Sequence, residues 1–189
     1  LKTLTEVTDI APPENLNATL RPYQARGFAW LMKNLRLGIG ALIADDMGLG
    51  KTLQVIATLL QLKNDGELNK TKALVVVPTT LMTNWQREIA KFAPELSVGV
   101  YHGSNRVLPE AVKDLPDVTL TTYGLMRRET EKLAGYKWRL LVLDEAQAVK
   151  NVASGQSVAA KSIKATQTIA MTGTPVENRL SEYLSLIHI

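Results

Sequence analysis

Short apolar runs alternate with helix-like segments along most of this 189-residue chain. The runs are rich in Val, Leu and Ile without polar alternation, as in strands that are covered on both faces. They predict strands at 40–44, 73–77, 98–101, 118–122, 140–143 and 168–171. Apolar residues at helical spacing predict helices at 23–35, 52–62, 80–92, 124–134, 155–163 and 178–186. This order predicts an α/β fold, with a mostly parallel sheet and helices on both faces.

The first 17 residues differ from the rest of the chain in their residue pattern. They contain Ala11-Pro12-Pro13, which favours an extended lead-in or linker over residues 1–17. Residues 18–189 have the length and apolar content of one domain with its own core. Because the chain does not begin with Met, we expect a fragment of a longer protein.

Composition excludes several classes of function. With no cysteine and only two histidines, the chain has no disulfide framework, thiolate zinc site, thiol nucleophile or histidine-rich metal site. The net charge of +4 permits a polyanionic partner without requiring one. The apolar runs are far shorter than the roughly 20 residues of a membrane helix, so we expect no membrane partner.

A glycine-rich segment follows the first predicted strand and opens the second predicted helix. Segment 45–52 reads Asp-Asp-Met-Gly-Leu-Gly-Lys-Thr. Gly48 and Gly50 let the backbone bend so that its N–H groups point at phosphate oxygens, and the helix N-terminus adds partial positive charge. Lys51 can reach the outer phosphates, and the Thr52 hydroxyl can ligate Mg²⁺. The segment therefore predicts a phosphate-binding loop.

This loop departs from the generic pattern at its first position. The pattern begins with Gly, whereas this chain has Asp45. A plain glycine-rich turn between a strand and a helix is the alternative, and the flanking strand and helix favour the phosphate loop.

Two carboxylates follow the fifth predicted strand. Asp144 can hold Mg²⁺ directly or through water, and Glu145 can orient and activate the water that attacks a terminal phosphate. A solvated acidic turn is the alternative for this pair alone. Parallel sheets bind ligands at the carboxyl ends of their strands, where the predicted phosphate loop also lies. Together the two segments predict one Mg-nucleotide site.

Two further segments carry weaker signals. Thr172 and Thr174 flank Gly173 after the last predicted strand, where their hydroxyls can bond to the acidic pair or to water; a turn that caps the last helix is the alternative. Gln24 lies three residues after Arg21, and its amide offers the donor and the acceptor that match an adenine edge. From the residues alone, the start of a helix is the better interpretation of that segment.

These segments, in this order, resemble the first RecA-like lobe of a superfamily-two nucleic-acid-dependent ATPase, a P-loop NTPase domain. The sequence is similar to the Swi/Snf branch in particular, where Asp at the first loop position is normal. Further segments of that branch match at 77–81, at Trp85 and Glu88, at 120–123 and at 144–151. The resemblance covers about 20–186, and we expect a bacterial-type member.

The resemblance implies a role for each matched position. The implied ATP-binding residues are Arg21, Gln24, Asp46, Met47, Gly48, Leu49, Gly50, Lys51 and Thr52. The implied catalytic residues are Lys51, Asp144 and Glu145, with Thr52 and Asp144 as Mg²⁺ ligands. The implied contacts to nucleic-acid backbone are Pro78, Thr79, Thr121, Thr122 and Tyr123. The implied coupling residues are Gln147, Thr172, Gly173 and Thr174. For Trp85, a surface contact and a core position both stay open.

By resemblance, the chain is the ATP-binding and ATP-hydrolysing motor lobe of a double-stranded-DNA translocase. Its cofactors would be ATP and Mg²⁺, and it would contact duplex DNA without sequence preference. An RNA or DNA strand-separating helicase lobe and a catalytically inert scaffold are the alternatives. The scaffold is disfavoured because Lys51, Thr52, Asp144 and Glu145 are all present.

The resemblance also implies a second RecA-like lobe that closes the nucleotide site. We therefore expect this lobe alone to be weakly active or inactive as a DNA-dependent ATPase. The expected location is the cytoplasm of a bacterium, in association with the nucleoid, or the nucleus of a eukaryote.

Overall fold

One sheet of six parallel strands forms the centre of the molecule, in the order β1-β6-β5-β2-β4-β3. The computed structural model describes residues 10–45, 50–149, 154–174 and 180–187. The strands are β1 Ala41–Ala44, β2 Lys72–Val77, β3 Val98–Tyr101, β4 Val118–Thr122, β5 Trp138–Leu143 and β6 Ala165–Thr172. Each overlaps one of the six predicted strands, which confirms the parallel α/β architecture.

Seven helices are described around this sheet. They are α1 Pro22–Arg36, α2 Lys51–Asn64, α3 Met82–Phe92, α4 Tyr123–Arg128, α5 Thr130–Ala134, α6 Gly155–Ser162 and α7 Leu180–Ile187. Pro22 occupies the first turn of α1, where its missing N–H costs no hydrogen bond. Among the described residues, no helix is long and apolar enough to cross a membrane.

The sheet has a hydrophobic core on each face. Strand β2 lies between the two cores, because all six of its residues are buried. Ala73, Val75 and Val77 pack into the cluster that includes α1, α2 and α3. Leu74 and Val76 pack into the other, which includes residues of α4, α6 and α7. Two-sided burial explains why the strands are apolar throughout.

One predicted helix is divided in two. The prediction spans 124–134, but α4 ends before Glu129 and α5 begins after it, because Glu129 leaves helical geometry. The Thr130 hydroxyl donates to the backbone oxygens of Met126 and Arg127. The Glu129 carboxylate accepts hydrogen bonds from Tyr101 and Arg106. These side-chain contacts stabilise the break.

The end of the predicted lead-in packs onto the domain. Leu16 is buried in the first core cluster, and the Asn17 N–H donates to the backbone oxygen of Phe92 at 2.7 Å. The residues from 10 to 21 form no described helix or strand. Residues 1–9 lie outside the described part.

Candidate functional site

A cavity of about 370 Å³ lies at the edge of the sheet where the strands end. β1, β6 and β5 are parallel neighbours, so their carboxyl ends meet there. The predicted site residues that line the cavity are Gln24, Gly50, Lys51, Thr52, Asp144 and Glu145. The fold therefore brings together predicted positions from three separate segments of the chain.

The end of the predicted phosphate loop forms one side of the cavity. Gly50 has a φ of 77°, and a Cβ there would lie 2.1 Å from Nε2 of Gln24. The positive φ favours glycine, and a methyl group at this position would have to displace the Gln24 amide. Lys51 begins α2, and its Nζ donates to the backbone oxygen of Asp45 at 2.6 Å. Outside the described residues lie the predicted Asp46, Met47, Gly48 and Leu49.

Gln24 has a structural contact as well as a place in the cavity. It is buried, and its Oε1 accepts a hydrogen bond from the Arg21 N–H at 2.9 Å. This contact satisfies a donor at the start of α1, as the helix-start interpretation expects. Arg21 itself is exposed and is not among the residues that line the cavity.

Asp144 is held on several sides. Its Oδ2 accepts a hydrogen bond from Nε1 of Trp85 at 2.7 Å, and its Oδ1 accepts from the Glu145 N–H at 2.8 Å. The Tyr123 hydroxyl donates to the Asp144 backbone oxygen at 2.5 Å. Asp144 is 6% exposed, so protein groups rather than solvent fix the orientation of its carboxylate.

Burial has the largest effect on the pKa values of Asp144 and Tyr123. It raises the pKa of Asp144 above its ordinary value, and the N–H groups of Trp85 and Glu145 only partly oppose that rise. Burial, with the neighbouring carboxylates, also raises the pKa of Tyr123 well above its ordinary value. Tyr123 therefore stays a neutral donor at physiological pH.

A chain of side-chain hydrogen bonds leads away from Glu145. Its carboxylate accepts from Nε2 of Gln147, and Oε1 of Gln147 accepts from the Thr172 hydroxyl at 2.9 Å. The hydroxyls of Thr172 and Thr174 are 2.9 Å apart, with Gly173 between them in sequence. Glu145 has a φ of 50°, an uncommon value for a residue other than glycine. The predicted coupling residues thus reach the acidic pair through Gln147.

The donor set of the cavity fits a Mg-nucleotide. Asp144, Glu145 and Thr52 line it, and their carboxylate and hydroxyl oxygens are the kind of ligand that Mg²⁺ prefers. The N-terminus of α2 and the Lys51 side chain supply positive charge beside them. The cavity therefore combines a positively charged side with an acidic side.

Comparison with known proteins shows the family to which this chain belongs. Residues 23–189 match the sequence profile of the family described as the SNF2-related domain. That match covers most of the chain. The chain belongs to the SNF2-related domain family. The resemblance to the Swi/Snf branch is thereby confirmed.

Curated relatives of this SNF2-related domain come from bacteria and fungi. The putative ATP-dependent helicase/translocase YwqA of Bacillus subtilis is 45% identical over 91% of this chain and 19% of its own length. Helicase SWR1 of Debaryomyces hansenii is 36% identical over 97% of this chain and 12% of its own length. The chromatin-remodeling ATPase INO80 of Cryptococcus neoformans is 35% identical over 95% of this chain and 11% of its own length. The chain thus spans about a fifth or less of these relatives.

Two solved structures have the same fold. The Sulfolobus solfataricus SWI2/SNF2 ATPase core in complex with dsDNA superposes with a TM-score of 0.86 at 38% identity, over 95% of this chain and 38% of that chain. The Sulfolobus solfataricus SWI2/SNF2 ATPase core domain superposes with a TM-score of 0.85 at 39% identity, over 97% and 38%. The predicted RecA-like fold is confirmed.

The SNF2-related domain presents its predicted nucleic-acid residues unevenly. Pro78 is half-buried, and Thr79 is exposed in the turn before α3. By contrast, Thr121, Thr122 and Tyr123 are buried. The Thr121 hydroxyl donates to the Tyr101 backbone oxygen, and the Thr122 hydroxyl caps α4. The role of these five residues stays a prediction.

Sequence reasoning missed the contact of Trp85 with the acidic pair. Trp85 is fully buried, which settles its position as part of the core. Its indole nevertheless reaches the Asp144 carboxylate, 59 positions away in sequence. The NWxxE-like segment at 84–88 is visible in the sequence, but nothing in it indicates the partner of the indole N–H.

Proposed function

We propose that this chain is the ATP-binding and ATP-hydrolysing lobe of a double-stranded-DNA translocase. The observation that carries the proposal is the shared cavity: the phosphate-loop end at Gly50–Thr52 and the carboxylates Asp144 and Glu145 line the same space. Its relatives are described as a putative ATP-dependent helicase/translocase, a helicase and a chromatin-remodeling ATPase, which supports an ATPase activity here.

In this proposal the loop side binds the substrate. The α2 N-terminus and Lys51 bind the phosphates of ATP, and the Gln24 amide recognises the adenine edge. Asp46, Met47, Gly48 and Leu49 complete the loop, with Arg21 nearby. Thr52 and Asp144 would hold Mg²⁺, which when bound neutralises charge on the phosphates.

The acidic side performs the chemistry. Glu145 takes a proton from the attacking water while the water oxygen bonds to the terminal phosphorus and the bond from that phosphorus to ADP breaks, and Asp144 would offer its carboxylate to Mg²⁺. Gln147 orients the Glu145 carboxylate through its Nε2. Thr172, Gly173 and Thr174 pass the state of the site to the rest of the lobe through that hydrogen-bonded chain.

Duplex DNA is the proposed track. The neighbour that is described as a complex with dsDNA supports this, as does the exposed turn at Thr79. Contacts of Pro78, Thr79, Thr121, Thr122 and Tyr123 with the phosphate backbone would give little sequence preference, and binding would weaken as salt rises. Such work on DNA would place the protein in the bacterial cytoplasm at the nucleoid, or in a eukaryotic nucleus.

Replacement of Glu145 tests the proposed chemistry. Glu145→Gln keeps the size of the side chain and one oxygen that can accept from Gln147, but it removes the base. In the full-length protein, we expect ATP binding within about twofold of the parent and single-turnover hydrolysis slower by about 10²-fold or more. Titration calorimetry and quenched-flow or manual single-turnover assays measure the two quantities. Hydrolysis at the parental rate, or loss of ATP binding, would contradict the proposed role.

A further inference from the structure

The indole of Trp85 makes an unusual buried contact. The side chain is 0% exposed, and its Nε1 donates to a carboxylate oxygen of Asp144 at 2.7 Å. A buried indole N–H needs an acceptor, and a backbone carbonyl suffices for that. Trp138 illustrates this case, because it is also 0% exposed and its Nε1 donates to the Leu133 backbone oxygen at 2.9 Å. Trp85 instead bonds to a residue that lines the cavity.

The position of the Trp85 ring is fixed by the core. Met82, Trp85 and Ile89 are the buried residues of α3, and all three belong to the first core cluster. Their spacing puts them on one face of the helix, against the sheet. The N–H group therefore comes from a rigid element, and it holds Asp144 Oδ2 in one place.

The hydrogen bond from Trp85 leaves acceptor positions of the Asp144 carboxylate unused. An ionised carboxylate has about four acceptor positions, and the N–H groups of Trp85 and Glu145 use one on each oxygen. Free rotation of the carboxylate would break both hydrogen bonds. Asp144 is thus fixed in orientation while each oxygen keeps capacity for a metal ion or its water.

We propose that Trp85 is a positioning residue for the magnesium-binding carboxylate, acting through its hydrogen bond to Asp144. The inference rests on the proposed function, because it assigns Asp144 to Mg²⁺. Removal of a group that orients a metal ligand typically lowers metal affinity or activity by about 10- to 100-fold. The indole N–H is such a partner, supplied from α3.

Trp85→Phe tests this, with Trp138→Phe as the matched control. Both changes remove a fully buried indole and its N–H donor, but only one removes the contact with Asp144. We expect Trp85→Phe to raise the dissociation constant for Mg·ATP about tenfold and to leave that for metal-free ATP, measured in EDTA, within about twofold. Trp138→Phe should change neither constant. Equal changes with and without Mg²⁺, or no change, would overturn the proposal.

Lys51→Ala in the same assay separates this inference from the proposed function. If Lys51→Ala loses ATP binding while Trp85→Phe keeps the parental Mg²⁺ dependence, the site stands and the role of Trp85 is wrong. If Lys51→Ala binds ATP as the parent does, the proposed function fails, and the inference fails with it.

A measurement on the unsubstituted chain covers the case in which Trp85→Phe does not fold. The chain has three tryptophans, so ¹⁵N-labelled tryptophan gives three indole N–H signals, assigned with Trp30→Phe and Trp138→Phe. We expect Mg²⁺, added to the ATP-bound chain, to shift the Trp85 signal and to leave that of Trp138 in place. An unmoved Trp85 signal would overturn the proposal.

Discussion

Asp117 is a buried residue that forms salt bridges at the edge of the sheet opposite the cavity. It immediately precedes β4, and its Oδ2 accepts from Nζ of Lys63 at 2.6 Å and from the Ser97 N–H at 3.0 Å. Nζ of Lys72, at the start of β2, lies 3.5 Å from its Oδ1. Burial alone would raise the pKa of Asp117, but the hydrogen bonds from Lys63 and Ser97 outweigh it and lower the pKa below its ordinary value.

This lowered pKa predicts an acid-sensitive contribution to stability. Because the folded-state pKa is below the unfolded value of about 4, the contribution is present above pH 4 and is lost as the pH falls through the folded-state pKa. We expect Asp117→Asn to lower the free energy of unfolding by about 1.5–3 kcal/mol at pH 7 and to flatten its dependence on pH below 4. Urea unfolding across pH measures both effects.

Asp114→Asn is the control for this change, since Asp114 is exposed nearby. It should leave the free energy of unfolding within about 0.5 kcal/mol of the parent. An unchanged pH dependence in Asp117→Asn would show that Lys63 and Ser97 do not hold the carboxylate ionised.

At the scale of elements, the junction between the loop and α2 is constrained by a glycine with a positive φ. Gly50 and Gly38 have nearly the same φ, 77° and 78°. A Cβ at position 50 would meet Gln24, whereas a Cβ at position 38 would meet nothing within 4 Å. Comparing substitutions at Gly50 and Gly38 therefore separates the effect of backbone strain from the effect of contact with Gln24.

We expect Gly50→Ala and Gly38→Ala each to lose about 1–2 kcal/mol of stability from the left-handed backbone. Only Gly50→Ala should also weaken ATP binding, because the new methyl group displaces the Gln24 amide. Thermal unfolding and titration calorimetry measure the two effects. Equal ATP affinities in the two variants would contradict the assignment of Gln24 and Gly50 to the nucleotide site.

The elements themselves were largely predictable from sequence. Strands buried on both faces, such as β2, are apolar throughout, so their positions are visible without a partner. The division between α4 and α5 was not predictable. Glu129 is a good helix former, and it leaves the helix because Tyr101 and Arg106 bind its carboxylate from elsewhere in the chain.

At the scale of the whole molecule, the sequence predicted which segments meet but not how their side chains contact each other. Parallel strands place Lys51 and Asp144 at one edge by topology alone. The bond from Trp85 to Asp144 and the path from Glu145 through Gln147 to Thr172 depend on side-chain directions, which no local pattern encodes.

The size of the chain also bears on its activity. The resemblance implies a second RecA-like lobe that closes the nucleotide site, and we propose that this lobe supplies arginines that stabilise charge on the transferring phosphoryl group. Such an arginine is worth about 10³–10⁵ in rate in other phosphate-loop enzymes. We therefore expect these 189 residues to bind Mg·ATP with little turnover, even with duplex DNA present. A phosphate-release assay with duplex DNA or RNA measures the turnover. Fast DNA-stimulated hydrolysis by these residues would contradict the expectation.

The central claim is that the cavity at the carboxyl edge of the sheet binds Mg·ATP through the phosphate loop. Calorimetric titration of Mg·ATP into the parent chain, Lys51→Ala and Lys137→Ala tests it most directly, since Lys137 is exposed just before β5, at the opposite edge. We predict one binding site in the parent, the same affinity in Lys137→Ala, and at least about tenfold weaker binding in Lys51→Ala. Parental affinity in Lys51→Ala would contradict the claim.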